Sequence, residues 1–385
     1  MDRSDGMETK EGMRVWLATE DYPPKLGGLS RWSAMYAETL RGLGASVTVL
    51  ARRPRKGGRS PRPGVIPIGG RGYNSLRHLY FRSAVRSLAG TEGWPDLILC
   101  STWRPAEGAL LARPACPVAA AVQGLELFTR YNPILELRRK VVLSRLSLAA
   151  AGSRFTARRL AKQVPRTTIH VGVNGVDTGL FTPEGPEAGR EYPLQMISVG
   201  RLVPRKGFDM VIEALGAALA SGVDAGLWIV GSGPLEDSLR RKASIHGGRV
   251  RFLGEVDDAA LASLYRSADL FVSPCMSNEA TGDVEGFGLT FIEASACGTA
   301  VAGLAEGGVT DAVEDGVSGI LTDRAGFVPA VASLCREPAR LAALGRAGRE
   351  RAERDFDIRR VVQSLLDSIP HGPKPGRRMQ DHIPG

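Results

Sequence analysis

The sequence predicts an α/β protein made of two doubly wound parallel-sheet domains in tandem. Short apolar runs alternate with glycine-bearing loops and helical patterns, which is typical of parallel strands covered by helices. This alternation stops between Asn174 and Tyr192, where apolar periodicity gives way to Gly, Pro and charge. The length of 385 residues also exceeds what a single core usually supports. We therefore expect two sheets with a cleft between them.

The first domain opens with a continuous apolar run, Met13–Thr19, as expected of a buried parallel strand. The prolines and glycines that follow require a loop before the next helix. The predicted helices are Ser30–Arg41, Ser75–Leu88, Ile134–Leu146 and Arg154–Ala161, and the further strands are Val47–Ala51, Leu97–Cys100, Val118–Val122 and Thr168–Val171.

The second domain repeats this design and ends in a charged helical pattern from Pro338 to Ser368. Its predicted strands are Gln195–Val199, Leu227–Val230, Val250–Leu253, Leu270–Ser273 and Ala300–Ala302, and its predicted helices are Phe208–Leu219, Leu235–Ser244, Ala259–Tyr265 and one beginning at Leu289.

These patterns divide the chain into four parts. We expect a disordered leader at residues 1–12, a first domain at 13–183, a second domain at 184–366 and a disordered tail at 367–385. The last helix of the second domain could pack back on the first. A basic loop at 52–64, rich in Pro and Gly, is expected to be mobile because it cannot bury itself.

Composition favours a cytoplasmic protein. The five cysteines show no paired spacing and are interpreted as reduced core thiols. The first twelve residues lack the apolar core of a signal peptide. The most apolar helical candidate, Val141–Ala151, contains Arg145 and is too short to span a bilayer.

The net charge of +9 is unevenly distributed. Residues 1–190 carry 29 Lys and Arg against 15 Asp and Glu, a net charge of +14, and the remaining residues carry −5. A basic first half suits an anionic membrane, an anionic acceptor or nucleic acid. The alternative interpretation is that the enzyme simply has an arginine-rich composition and that the charge serves no anionic partner.

The most informative motif is Glu285–Gly298, in which two carboxylates and two glycines precede or enter a helix. Gly288 lies near the helix start, where unpaired N–H groups and the helix dipole favour a phosphate. Carboxylates repel phosphate, so Glu285 and Glu293 should bind neutral hydroxyls at the two ends of the same ligand. A nucleotide sugar has this arrangement. The alternative is a helix cap beside surface glutamates.

Three further loops follow predicted strands of the second domain, where parallel sheets place ligands. Arg201 and Lys206 follow one strand and suit a diphosphate, unless both simply project into solvent. Gly231 and Gly233 form a tight turn that lacks the third glycine of a dinucleotide fingerprint. The third loop, residues 306–308, could approach a ligand or merely turn the chain.

In this order, the motifs resemble those of the retaining glycosyltransferases of family 4, which have the GT-B fold of two Rossmann-like domains. The resemblance runs from Met13 to about Leu366. The strings that carry it are the Pro-Pro loop ending in Gly27 and Gly28, Asn174–Asp177, the Arg201 to Lys206 loop, the Gly231–Pro234 turn, and the Glu285 to Glu293 motif.

The resemblance implies a role for each matching residue. Arg201 and Lys206 would hold the donor diphosphate, Glu285 the donor sugar and Glu293 the ribose. The amides of Phe287, Gly288 and Leu289, next to Gly286, would assist the two cations. Gly27 and Gly28 would let the first domain close over the donor, and Gly231 and Gly233 would also belong to the donor-binding site. No metal or other cofactor is expected, because the cations stabilise the developing diphosphate charge. Asp355 to Asp357, a D-x-D string in the charged helical stretch, is not expected to bind metal.

One position departs from the family pattern. Gln123 follows the Val118–Val122 strand where the family commonly has a histidine that faces the donor sugar. Glutamine can hydrogen-bond a sugar hydroxyl but cannot carry a proton. In the mechanism proposed for the family, a phosphate oxygen takes the acceptor's proton, so that route does not need the histidine. Glu126 could orient the acceptor or bind a backbone amide.

The sequence thus predicts a retaining, metal-independent glycosyltransferase of the hexosyltransferase type that uses a UDP- or GDP-linked sugar. The acceptor could be a small molecule, a lipid or a glycan, and nucleic acid is not expected. The basic first half also suits peripheral membrane contact. Alternatives are a phosphorylase or nucleotide-sugar epimerase with the same fold, or a nucleic-acid- or membrane-binding protein. The last class usually interleaves aromatic residues with its charges, and residues 52–64 contain none.

Overall fold

The computed structural model describes residues 11–25, 27–53, 64–69, 77–128, 132–278 and 282–370. Within these ranges the chain forms two parallel sheets, each covered by helices, which confirms the predicted fold class. Most of the expected leader, most of the basic loop at 52–64 and the tail beyond residue 370 lie outside the described residues.

The first sheet is parallel throughout and has seven strands among the described residues. The strands are β1 (Arg14–Thr19), β2 (Ser46–Arg52), β3 (Val65–Ile68), β4 (Leu97–Cys100), β5 (Val118–Val122), β6 (Leu148–Ala151) and β7 (Ile169–Val171). The helices are α1 (Gly28–Gly42), α2 (Arg77–Glu92), α3 (Trp103–Leu111), α4 (Leu125–Phe128), α5 (Pro133–Ser144) and α6 (Arg154–Gln163). The spatial order β3-β2-β1-β4-β5-β6-β7 reverses direction between β1 and β4.

The second sheet is also parallel and has the spatial order β10-β9-β8-β11-β12-β13 among the described residues. These strands are β8 (Leu194–Val199), β9 (Ala225–Val230), β10 (Val250–Gly254), β11 (Leu270–Ser273), β12 (Ala300–Leu304) and β13 (Ile320–Thr322). The helices are α7 (Phe208–Ala220), α8 (Glu236–Ala243), α9 (Asp258–Ser267), α10 (Leu289–Ala296), α11 (Val309–Ala312), α12 (Arg324–Leu334), α13 (Pro338–Arg351) and α14 (Ile358–Asp367). The order reverses between β8 and β11.

The cores lie on both faces of each sheet. Strands β4, β5, β6, β8, β9, β11 and β12 are buried along their whole length, as continuous apolar runs in parallel sheets should be. The alternating directions of the side chains divide each domain's core into two layers, one above and one below its sheet.

The final helix, α14, packs on the first domain although it follows the second in sequence. Val362 and Leu365 share a buried cluster with Tyr36 and Leu40 of α1. Just before this helix, the amide of Val176 donates to the carbonyl of Phe356 at 2.8 Å. The chain therefore crosses between the domains twice, and the two crossing segments are hydrogen-bonded to each other.

The interpretation of Val141–Ala151 as one helical segment is wrong. Helix α5 ends at Ser144, and Leu148–Ala151 is strand β6. Alanine favours helices in isolation, but this run lies between β5 and β7 and is fully buried, so tertiary pairing outweighs propensity. Strands β3 and β13 and helices α3, α4 and α12 were also not predicted from the sequence.

Candidate active site

The reversal of strand order in the second sheet creates a crevice between the loops that follow β8 and β11. A 3₁₀ turn, Pro204–Lys206, lies in the first of these loops, and Glu285 lies in the second. Lys206 Nζ donates to Glu285 Oε2 at 2.6 Å, and Arg205 Nη1 donates to the same oxygen at 3.0 Å. Lys206 Nζ is also 3.4 Å from Cys275 Sγ. Two cations and one carboxylate thus form the centre of the crevice, called here the cationic seat.

The cationic seat is largely closed to solvent, since the side chains of Lys206 and Glu285 are only 13% and 16% exposed. Burial disfavours the charged form of each group, but the opposite charge 2.6 Å away outweighs burial. The pKa of Lys206 is consequently raised and that of Glu285 lowered. Both groups are charged near neutral pH, and the seat carries a net positive charge when Arg205 is included.

Helix α10 points its N-terminus toward this region. Its N-cap, Gly288, has φ +97°, a left-handed conformation that glycine adopts without strain. The three residues whose backbone amides were predicted to contact the donor diphosphate lie at this end of the helix: Phe287, Gly288 and Leu289. The buried ring of Phe287 packs against the ring of Phe356, which anchors the loop before α10. The unpaired amides at this helix end can receive an anion.

Gly286 lies where the two domains approach each other closely. A Cβ atom at this position would lie 2.0 Å from the backbone oxygen of Gln123 in the first domain. Similarly, a Cβ atom at Gly308 would lie 2.0 Å from the carbonyl oxygen of Gly286. Only a residue without a side chain fits at Gly286, because the atoms that a Cβ would meet belong to the backbone of Gln123 and Gly124.

Gly231 and Gly233 serve the packing of neighbouring loops. A Cβ at Gly231 would meet the Gly200 oxygen at 2.1 Å, and one at Gly233 would meet the Leu202 oxygen at 2.6 Å. Both glycines therefore hold the loop after β9 against the loop after β8. In this way they support the segment that carries Arg201 and Lys206.

Gly27 and Gly28 lie at the start of α1 in the first domain. A Cβ at either position would meet no atom of the described structure within 4 Å, so the space beside them is open. Three residues further along the chain, Arg31 Nη2 donates to Glu293 Oε1 of α10 at 3.1 Å. The glycine-bearing start of α1 is therefore on the cleft side of the first domain, opposite α10.

Glu293 is buried, and its environment differs from that of Glu285. Burial raises the pKa of Glu293, and the repulsion from Asp258 adds to this effect, while Arg31 lowers the pKa without cancelling the increase. Asp258 also contacts Arg31, at 3.1 Å. Arg31 was not predicted from the sequence, since a single arginine inside an amphipathic helix carries no motif.

Of the two cations predicted to act together, Lys206 forms an ion pair with Glu285 and Arg201 does not. Lys206 is in the cationic seat, but its partner there is Arg205, which the sequence analysis did not single out. Arg201 is exposed, and no hydrogen bond or ion pair joins its side chain to other residues in the described part of the chain. Arg205 and Lys206 are adjacent in a 3₁₀ turn, and both side chains lie near Glu285. Their adjacency in the sequence was the pattern from which Arg205 could have been predicted.

Gln123 and Glu126 lie at the cleft side of the first domain, directly after β5. Glu126 Oε1 accepts from the Gln123 amide at 3.0 Å, so this carboxylate binds backbone, the second of its two predicted roles. Burial raises the pKa of Glu126 despite these amide contacts. The Gln123 side chain is half-buried, within reach of the Gly152 backbone.

The remaining motif residues have structural partners. Glu306 accepts from the amide of Ser277 at 2.6 Å and pairs with Arg324. Asp357 caps α14, and Asp355 pairs with Arg354. Over the ranges that the structure describes, no three His, Cys, Asp or Glu side chains are grouped so that they could hold a metal ion. In the same ranges, no helix is both long and apolar enough to cross a membrane.

Two family models match this chain, one over each domain. Residues 26–180 match the family model described as Glycosyltransferase Family 4, and residues 186–351 match the model described as Glycosyl transferases group 1. The chain is 31% identical, over 86% of its length and 92% of the relative's, to a GDP-mannose-dependent alpha-(1-6)-phosphatidylinositol monomannoside mannosyltransferase of Mycolicibacterium smegmatis. It is 37% identical to a D-inositol 3-phosphate glycosyltransferase of Segniliparus rotundus, over 52% of this chain and 46% of the relative.

Solved structures agree on the fold. The sucrose-phosphate synthase of Thermosynechococcus elongatus superposes with a TM-score of 0.75 at 22% identity, covering 92% of this chain and 98% of that one. The Anabaena protein HepE in complex with UDP and glucose superposes with a TM-score of 0.70 at 19% identity, covering 92% and 99%.

Two facing parallel-sheet domains with a cationic seat in the cleft define a glycosyltransferase of the GT-B fold, which takes its sugar from a nucleotide sugar. The chain belongs to glycosyltransferase family 4.

Proposed function

We propose that this protein transfers a mannosyl residue from GDP-mannose to a hydroxyl of an inositol-phosphate acceptor, with retention of anomeric configuration and without a metal. The donor is supported by relatives from three organisms that are named as GDP-mannose-dependent, two of which match over nearly their whole length. The acceptor class is supported by the names of the other relatives, which also specify phosphatidylinositol or inositol 3-phosphate. The cationic seat is the structural observation that carries the proposal.

In this proposal the donor diphosphate binds between the cationic seat and the N-terminus of α10. Lys206, Arg205 and the α10 amides supply fixed positive charge where the leaving diphosphate becomes more negative. Arg201 adds a guanidinium from the rim of the crevice. These groups do the work that a divalent cation does in other transferases, so neither a metal nor another cofactor is required.

The two glutamates then have separate ligands. Both cations bind Glu285 Oε2, which leaves Oε1 outside these contacts and able to accept from a donor sugar hydroxyl. Glu293 lies on α10, beyond the diphosphate seat, where it would accept from the ribose hydroxyls. Its present contact with Arg31 ties this position to the first domain.

Retention is supported by how the carboxylates around the cleft are engaged. Glu285 is held by two cations, Glu293 by Arg31, and Glu126 by a backbone amide. A lowered pKa makes Glu285 a poor base, and Gln123 cannot take a proton. A donor phosphate oxygen is therefore the base in our mechanism. The acceptor hydroxyl attacks C1 from the face that the diphosphate leaves, and its proton passes to that oxygen as the C1–O bond breaks.

The acceptor would bind where the first sheet reverses order, between the ends of β1 and β4. Just beyond these strands, Arg77 pairs with Glu20, and Thr102 Oγ1 donates to Glu20 at 3.4 Å. A guanidinium and a hydroxyl are the side chains expected to bind an inositol phosphate.

The test is a product assay with purified protein, GDP-mannose, and either inositol 3-phosphate or dispersed phosphatidylinositol. We expect GDP release that depends on acceptor, an α-mannosyl product by NMR, and unchanged rates in EDTA. GDP release without acceptor would favour hydrolysis, and a β-linked product would refute retention. If UDP-sugars alone react, the guanosine assignment is wrong while the transferase assignment stands.

A further inference from the structure

Helix α5 exposes three large aliphatic side chains to solvent. Ile134, Leu137 and Val141 are 74%, 63% and 39% exposed, and their spacing of three and four residues aligns them in one stripe. The opposite face of the helix is buried through Arg139, Val142 and Leu143. We call this stripe the α5 crest. An ordinary surface helix places polar residues there, so the crest requires an explanation.

Basic residues flank the crest on both sides. At 100° per residue, Arg138 and Arg145 lie along one side of it and Lys140 along the other. The one acidic residue of the helix, Glu136, pairs with the buried Arg139. Arg138 is paired with Glu107 of α3, so Lys140 and Arg145 are the rim charges to which no described carboxylate is joined.

The helix is fixed firmly to the domain. Arg138 donates to both carboxylate oxygens of Glu107 at 2.9 Å and contacts His78 of α2 at 3.1 Å. Arg139 donates to Gln163 of α6 at 2.8 Å and to the carbonyl of Glu126 beside the cleft. The crest is therefore a rigid feature of the surface, held by α2, α3 and α6.

From this arrangement we infer that the α5 crest docks the protein on an anionic membrane surface. A helix with an aliphatic stripe between two basic flanks lies in a membrane interface with its apolar side chains among the lipids and its cations at the headgroups. The net charge of +14 over residues 1–190 acts in the same direction, because an anionic leaflet attracts basic segments over a Debye length.

Charge complementarity favours lipid over a protein partner. If two copies of this chain met crest to crest, Lys140 and Arg145 of one copy would face the same cations of the other, and like charges would repel. The crest also lacks the aromatic side chains that anchor most protein interfaces.

Docking through α5 would orient the catalytic cleft. The chain runs from the end of β5 through Gln123 and α4 into α5, and Gln123 contacts Gly286 across the cleft. Ile134, at the start of α5, therefore follows Gln123 of the cleft loop by only 11 residues in the chain. This inference goes beyond the proposed function and holds whichever acceptor is used.

The test is flotation of the purified full chain with vesicles of phosphatidylcholine alone or of equimolar phosphatidylcholine and phosphatidylglycerol. We expect binding to the anionic vesicles that weakens as salt rises. The variant Ile134→Ser/Leu137→Ser should partition at least tenfold less, a difference of about 1.4 kcal/mol. The variant Lys140→Glu/Arg145→Glu should lose the preference for anionic lipid. Ile245→Ser, which alters an equally exposed side chain of the second domain, is the matched control and should bind like the wild type.

Thermal unfolding midpoints of all variants should agree with the wild type, because the altered side chains are exposed. Equal partition of the wild type and both α5 variants would overturn the inference, as would failure of the wild type to bind anionic vesicles. Sedimentation that shows self-association in the wild type and not in Ile134→Ser/Leu137→Ser would also overturn it, by assigning the crest to a second copy.

Discussion

Arg31 in α1 of the first domain donates to Glu293 in α10 of the second at 3.1 Å, across the cleft. The carboxylate is buried and would bind ribose in the proposed donor complex, so one group serves both domain closure and donor recognition. Burial raises the pKa of Glu293, with Arg31 opposing that shift. In that proposed complex, the pair would couple the position of the first domain to the nucleotide.

Glu293→Gln should weaken GDP binding by about tenfold, because a charge-assisted hydrogen bond is worth roughly 1.5–3 kcal/mol. Arg31→Gln should have a smaller effect, because Glu293 keeps its carboxylate. Isothermal titration calorimetry with GDP measures both. An unchanged Kd in Glu293→Gln would exclude this residue from the ribose site.

Lys206→Met should lower kcat/KM by about 10²–10³, the usual cost of removing one preorganised electrostatic contact to a developing anion. It should also destabilise the protein, since Glu285 would lose one of its two cationic partners. Lys206→Met/Glu285→Gln should recover much of the stability but none of the activity. Recovery of activity in the double variant would show that the pair is only structural.

The same pair predicts a pH dependence of stability. Glu285 has a lowered pKa, so its contribution is present above the ordinary value of 4.5 and is lost as pH falls through the folded value. Lys206 has a raised pKa, so its contribution is present below 10.5 and is lost as pH rises through the folded value. The difference in Tm between the wild type and Lys206→Met/Glu285→Gln should be constant between these limits and change outside them. A difference that changes steadily near neutral pH would contradict the assigned charges.

Arg201→Ala should raise KM for the donor while leaving the Tm unchanged. Its side chain is exposed and has no described partner to lose, so any effect must come from the ligand. Lys242→Ala, which removes a surface ion pair with Glu213, is the matched control and should change neither quantity. Wild-type donor kinetics in Arg201→Ala would place the diphosphate on Arg205 and Lys206 alone.

Gly286→Ala should force the domains apart, because its Cβ would lie 2.0 Å from the Gln123 carbonyl oxygen. We expect a large loss of transfer and a larger radius of gyration in small-angle scattering. Gly90→Ala, on α2 with open space around it, is the control and should be neutral or stabilising. An unaltered radius and rate in Gly286→Ala would mean that the cleft closes without this contact.

Much of the fold follows from local patterns. The buried strands Leu97–Cys100, Val118–Val122 and Leu270–Ser273 have the predicted bounds, because short continuous apolar runs bounded by proline or polar residues have few alternatives. The prediction of a helical segment over β6 was wrong, because its alanines form a strand only through pairing with β5 and β7.

The sequence by itself determined the two parallel sheets, the helix start after Gly288, and the position of Lys206 and Glu285 in loops that follow strands of the second sheet. These depend on residue types and short spacings, which a linear chain displays. Only the tertiary structure decided that Arg205 shares Glu285 with Lys206, that Arg31 reaches Glu293, and that α14 returns to the first domain. Those contacts join residues 80 and 262 positions apart, or elements of different domains, and no local pattern encodes which distant side chain will arrive.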